Sequence, residues 1–242
     1  MENKKSLLKL NEIQITDDLN IKIPTVGEVL DDEQLYYAII QSLTSTPFQY
    51  MVQLDDMGID YTDITEYQLF LMLFPTFAQG DMSIIFGDTN LSDCIACHNV
   101  SNDTDVIYSP SMDKIIFDEL IYIEFTDLLR KINLIEKIKT KPGNEEAKKY
   151  LLEKERKKQK RNSKKPYEPY LEKLVISLVN TSEFKYNYEE TMNLSIYQFM
   201  KSFEQIQRKI SFDKTMIGVY AGTVDTSKLS DKSILSWIPV SK

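Results

Sequence analysis

Apolar and polar positions alternate loosely over residues 7–20 and cleanly over Asn20-Ile21-Lys22-Ile23. This predicts one or two short strands ending at Pro24. Thr25-Val-Gly-Glu28 has the form of a capping box. The helix it opens runs through VLDDEQLYYAIIQSL, with Val29, Leu35, Ile39 and Leu43 mostly on one face. Thr46-Pro47 reads as an N-cap followed by proline in the first helical position, starting a second helix, FQYMVQLDDM, that stops at Gly58. Asp63-Ile-Thr-Glu66 offers another box, before an apolar helix, YQLFLMLFPTFA, that kinks or ends near Pro75.

The pattern then changes period. Met82 to Phe86 is a short apolar run closed by Gly87-Asp88, which predicts a strand. Residues 94–100 and 106–108 read as a hairpin joined by the turn Ser101-Asn-Asp-Thr-Asp105, with Pro110 ending the β element. Helical spacing returns over residues 117–132, where Ile121, Phe125, Leu128, Leu129 and Ile132 form a stripe. Lys141-Pro-Gly143 breaks the chain and Asn144 caps the next helix. That helix has Ala147, Tyr150, Leu151 and Leu152 near its start and only charge past Glu153. Pro166 and Pro169 end it. Two amphipathic helices follow, one over Leu171, Leu174, Val175, Leu178 and Val179 and one over residues 194–210. A further helix is stopped by Gly222, and a last short turn carries Trp237.

Only 7 Gly and 8 Pro occur in 242 residues, which favours long helices over a sandwich of many hairpins. The expected fold class is mainly α with a small β element (α+β): a bundle-like helical body, short N-terminal strands, a β-hairpin near 82–108 and a basic helical arm near 145–165. The natural divisions are 1–80, 81–110 and 111–242, or one continuous domain.

Net charge is -8, unevenly spread. Ten bases between Lys148 and Lys165 face only Glu153 and Glu155, so this segment is +8 and the remainder -16. No apolar run approaches bilayer length, and no signal-peptide core follows the first lysines. The protein is expected to stay where it is made, in a reducing compartment, without membrane contact.

Cys94-Ile-Ala-Cys97-His98 holds both cysteines and the only histidine, at the spacing of a c-type haem attachment site. Haem attachment takes place outside the cytoplasm, and no export signal is present. Tetrahedral zinc needs a second ligand pair, which neither cysteine nor histidine supplies. A redox CxxC normally joins a strand to a helix, whereas this one precedes a turn-rich, strand-like segment. The motif is therefore read as half of a hairpin, with either Cys94 and Ala96 or Ile95 and Cys97 toward the core. No phosphate loop, zincin motif or calcium loop occurs, and Asp55-Asp56 and Asp103-x-Asp105 read as a solvated helix end and a turn. No catalytic residue, metal or cofactor is expected.

The arm is the candidate interaction element, through Arg156, Lys157, Lys158, Lys160, Arg161, Lys164 and Lys165. Clustered cations suit a phosphate backbone. Yet the run is lysine-rich and has no aromatic until Tyr167 and Tyr170, which favours a solvated projection or an acidic protein partner over base readout.

Several stretches, in order, carry a resemblance: IKIPTVGEVLDDEQLYY, QLDDMGIDYTDITEYQLF, IIFGD, PGNEEAKKYLLEKER, LVISLVNTSEFKY, SFEQIQR, GVYAGTVDTSKL and SWI. Together they resemble a family of about this length encoded in the tail-gene regions of phages and prophages of Gram-positive bacteria, over nearly the whole chain. The resemblance implies a tail or baseplate assembly chaperone, or a structural component, that contacts other tail or baseplate proteins in the virion or the host cytoplasm. It carries no catalytic residues and does not include the CxxCH. The alternative is an accessory protein that places its arm on nucleic acid.

Overall fold

The computed structural model describes residues 6–138 and 140–238. The fold is α+β, 53% helix and 11% strand. Strands β1 (Glu12–Thr16) and β2 (Leu19–Lys22) form an antiparallel hairpin in which Ile13 opposes Ile21. The inward residues of β2, Leu19 and Ile21, are fully buried. Thr25 then opens helix α1 (Val26–Asp31): the Glu28 amide donates to Thr25 Oγ1 at 3.2 Å, and the Thr25 amide donates to Glu28 Oε2 at 2.8 Å.

The single helix expected across residues 29–43 is two. Asp32 leaves helical geometry and accepts the Leu35 amide at 3.0 Å, capping α2 (Glu33–Thr44). That break resets the helical phase, so Leu35 is 46% exposed and does not share a face with Val29. Thr46-Pro47 starts turns and not a helix; α3 is shorter than expected (Met51–Asp56), and Gly58 takes the left-handed conformation after it, at φ 73°. The box before α4 (Glu66–Phe77) is Thr65 with Gln68, not Asp63 with Glu66, because the Gln68 carboxamide reaches back to the Thr65 amide. Pro75 sits inside α4 without ending it.

The run at 82–86 is a correction: it forms a one-turn helix, α5 (Ser83–Phe86), closed by Gly87 at φ 56°. The β element after it has three strands. β3 (Ile95–Asn99), β4 (Thr104–Ser109) and β5 (Lys114–Phe117) pair antiparallel in that order, with Asp103 and Asp113 at positive φ in the two turns. Pro110 therefore ends one strand and not the sheet. Asp118 caps α6 (Glu119–Asn133), and Asn144 caps α7 (Glu145–Asn162). α8 (Leu171–Val179), the unexpected short α9 (Tyr188–Met192) and α10 (Ile196–Tyr220) complete the order. α10 continues ten residues past the 210 boundary, to a stop at Gly222 with φ 70°.

Two helix starts are stitched together. The Val26 amide donates to the Leu194 carbonyl and the Ile196 amide to the Pro24 carbonyl, both at 2.8 Å, so the capping boxes of α1 and α10 lie side by side. One apolar core runs from Leu19 and Ile21 through the α2, α4 and α6 faces to Leu174, Val175 and Phe199. Its centre is aromatic: Phe70, Phe86, Phe117, Tyr122 and Phe125 pack with ring centroids 4.8–6.4 Å apart. Each such ring contributes about 1.5–3 kcal/mol by burial alone. A smaller cluster of Met51, Val52, Leu54, Tyr61 and Leu69 lies under Leu151 and Leu152 of α7.

Candidate interaction surfaces

The CxxCH segment falls on the outer strand of the meander. Cys94 is buried ahead of β3, and its thiol is pushed up to about 11, first by burial and then by Asp93, so it is protonated at neutral pH. Cys97 is half-buried opposite Val106, while Ile95 and Ala96 are exposed. Both thiols are free. His98 lies at the exposed end of the hairpin, with Nδ1 3.0 Å from Asp105 Oδ1 and Nε2 3.3 Å from Asp103 Oδ1. Among the described residues, no group of three His, Cys, Asp or Glu is placed to hold a metal ion. Replacing both cysteines by alanine is expected to lower stability by about 1 kcal/mol, the ordinary size for one small buried side chain. Partner binding should be retained; loss of binding or of bound metal in that variant would restore a role to the motif.

The arm is a two-faced helix. Lys148, Leu152, Glu155, Arg156 and Gln159 recur at helical spacing and are partly buried. This inner face lies on α3 and the loop after it. Lys148 pairs with Asp60 and stands 5.9 Å from the centre of the Tyr61 ring; Arg156 Nη2 lies 2.5 Å from Asp55 Oδ2 and 2.6 Å from Asp56 Oδ1. Of the predicted contact residues, Arg156 is thus held by the body. Lys157 and Lys158 are exposed and, among the described residues, pair only along the helix, with Glu153 and Glu155. Lys160, Arg161, Lys164 and Lys165 are exposed and form no ion pair among the described residues.

The Lys148 ammonium, helped by the Thr62 amide and hydroxyl, pulls the Asp60 carboxyl down to about 2. The carboxylate form is therefore favoured by folding. Its contribution to stability is complete above the ordinary value near 3.8 and is lost as pH falls through about 2. An NMR titration of the Asp60 carboxyl should give a midpoint near 2, and Lys148→Ala should return it toward 3.8. A wild-type midpoint near 3.8 would mean the arm is not anchored here.

The far end of the arm is tied down by a residue that sequence reading passed over. Glu33 is only 7% exposed and accepts the Tyr170 amide at 2.8 Å, the Leu171 amide at 3.1 Å and the Tyr167 hydroxyl at 2.9 Å. It caps α8 from α2, and its charge suits the positive end of that helix. Tyr167 is pushed up to about 12, by burial first and then by the Glu33 carboxylate. In the sequence Glu33 is the third acid of Asp-Asp-Glu, and nothing local marks it as buried.

A groove of about 930 Å³ opens between α4, α6 and the connection to α7. Its walls include Phe48, Tyr61, Tyr67, Tyr122 and Ile123. Arg130 lies at its base, donating from Nη2 to the Thr44 carbonyl at 2.7 Å and to Glu66 Oε2 at 3.2 Å, and Lys137 reaches Glu66 Oε1 at 2.8 Å. The Tyr61 hydroxyl is buried without a hydrogen-bond partner among the described residues. The groove thus offers a wall of aromatic and apolar side chains with charges of both signs. A hint lay in the α6 stripe, where Arg130 follows Thr126 by one turn amid apolar positions.

Residues 157–242 match the family model described as YomV second domain, and YomV is a Bacillus phage-region protein. The match begins inside α7 and covers the distal arm, α8, α9, α10 and the terminal turns, so this part of the chain is similar to a phage-associated domain family. No curated protein and no solved structure matches the chain. No helix among the described residues is long and apolar enough to cross a membrane.

Proposed function

We propose that the protein is a non-enzymatic phage morphogenesis factor, a tail or baseplate assembly chaperone or a structural component, acting through contacts with other tail or baseplate proteins. The observation that carries this reading is the similarity of residues 157–242 to a domain of a phage-region protein. Two surfaces support it: the groove lined by aromatic and apolar side chains, and the cationic outer face of the arm. Grooves of this size and lining accept apolar side chains, which a protein segment supplies.

Quantitative mass spectrometry tests it, on purified particles and on the lysate of the induced phage. Stoichiometric copies in the particle identify a built-in subunit. Absence from the particle, with co-purification of tail or baseplate proteins from the lysate, identifies a chaperone. Absence of both removes the proposal. The second reading, an accessory protein holding nucleic acid, draws on the arm cations without ion pairs; it requires duplex binding that weakens steeply with salt.

A further inference from the structure

The chain separates its charges by sequence as well as by surface. Between Lys22 and Lys114 there is no Lys or Arg, while fifteen Asp and Glu occur. Cations from elsewhere reach some of them: Arg130 and Lys137 reach Glu66, Lys148 reaches Asp60, and Arg156 reaches Asp55 and Asp56. Asp88 and Asp93 receive none among the described residues. They stand in a concavity of about 640 Å³ between the β1–β2 hairpin, the loop after α5 and the β4–β5 turn, together with Glu12 and Asp18. The cations nearest to it are already engaged, Lys22 by Glu28 at 2.6 Å and Lys114 by Asp18 at 2.6 Å. Asp93 is fixed by the Ser109 hydroxyl and the Ser111 amide, both at 3.0 Å. The Asn20 carboxamide oxygen in the same wall is buried with no donor among the described residues.

Lys22 stands in the wall of this cleft but is held by Glu28, so what the cleft lacks is a free cation, and the arm of the same chain displays several. Lys160, Arg161, Lys164 and Lys165 are exposed and without ion pairs among the described residues. Within one chain no hydrogen bond or ion pair among the described residues joins arm to cleft, because the inner face of α7 is seated on α3 instead. We propose that the distal arm of one copy, residues 160–165, docks in the acidic cleft of a second copy. A phosphate backbone is the weaker candidate, since the rest of the chain is -16 and repels it. Each copy presents one arm and one cleft, so the contact is head-to-tail and propagates into a ring or an open string. It concerns copies of this chain alone. A protein absent from virions leaves it standing, and a strictly monomeric protein leaves the proposed virion role standing.

Sedimentation of the full chain at rising concentration tests it. In about 0.1 M salt the mass should climb above that of the single 28.2 kDa chain, and in about 1 M salt, where the screening length falls from about 10 Å to about 3 Å, it should return to it. Lys160→Glu with Arg161→Glu, Lys164→Glu and Lys165→Glu should be monomeric in low salt, and so should Glu12→Lys with Asp88→Lys. Mixing the two variants should restore association, since each supplies what the other lost. If circular dichroism shows the cleft variant misfolded, Glu12→Gln with Asp88→Asn replaces it and should weaken association at least tenfold. A wild-type monomer throughout, association that ignores the cleft charges, or a monomer whose arm retains duplex DNA would each overturn the proposal.

Discussion

Phe117→Ala is expected to remove about 4 kcal/mol of stability. Phe117 is fully buried at the end of β5, and its ring meets Phe70 at 5.2 Å, Phe86 at 6.4 Å and Phe125 at 5.3 Å. Three helices and the β-meander therefore converge on one side chain. Its carbonyl also accepts the Tyr67 hydroxyl at 3.2 Å, so backbone and ring anchor the same junction. Small domains have about 5–15 kcal/mol in total, so this loss approaches unfolding. Urea denaturation should show a lower midpoint with little change in slope, and Phe117→Leu, which keeps most of the volume, should lose about 1.5 kcal/mol or less. A loss under about 1 kcal/mol for the alanine variant would mean the meander is not packed on the aromatic cluster.

Glu33→Ala should come next, at about 3 kcal/mol. The carboxylate caps α8, and loss of a cap costs about 0.5–2 kcal/mol; it is itself only 7% exposed and also satisfies two amides and the Tyr167 hydroxyl. Glu33→Gln keeps an acceptor but not the charge and should cost about half as much. The two variants separate capping from burial. Hydrogen exchange gives a local readout: amides at the start of α8 should lose protection in Glu33→Ala before those of α4 do. Equal protection across both helices would show that Glu33 is incidental to α8.

The contrast between these two residues explains what could be read in advance. The helical spacing over 117–132 takes in Phe117, which instead ends β5 with Asp118 capping α6 after it, while the local signals at Asn144, which caps α7, and at Thr25, which forms its box, held. Local signals failed where two periods fit one short run. The apolar run at 82–86 suits a strand or one helical turn, and burial of Ile85 and Phe86 in the aromatic core decided for the turn. β5 was hidden because Ile115-Ile116 leads directly into a strong helix start. Asp32 passed as one more helical acid, although it ends one helix and caps the next. The arm was visible as charge alone. Its division into an anchored face and a free face depends on Asp55, Asp56 and Asp60, about a hundred residues away in sequence. Glu33 and Tyr167 are 134 residues apart, beyond any periodicity.

The segregation of charge also makes the molecule lopsided toward trypsin. From Ile23 to Lys114 there is no internal cleavage point, and a complete digest yields that stretch as one long peptide. In the folded protein the exposed cluster from Lys157 to Lys165 offers the densest run of cuts. A limited digest should therefore nick the arm first. The two pieces should stay together through a single gel-filtration peak, because Leu174, Val175, Ile196 and Phe199 remain in the shared core and the α1 and α10 starts remain paired. The arm is in that sense a covalent handle between two parts already held together without it, and it can be cut without dismantling the body.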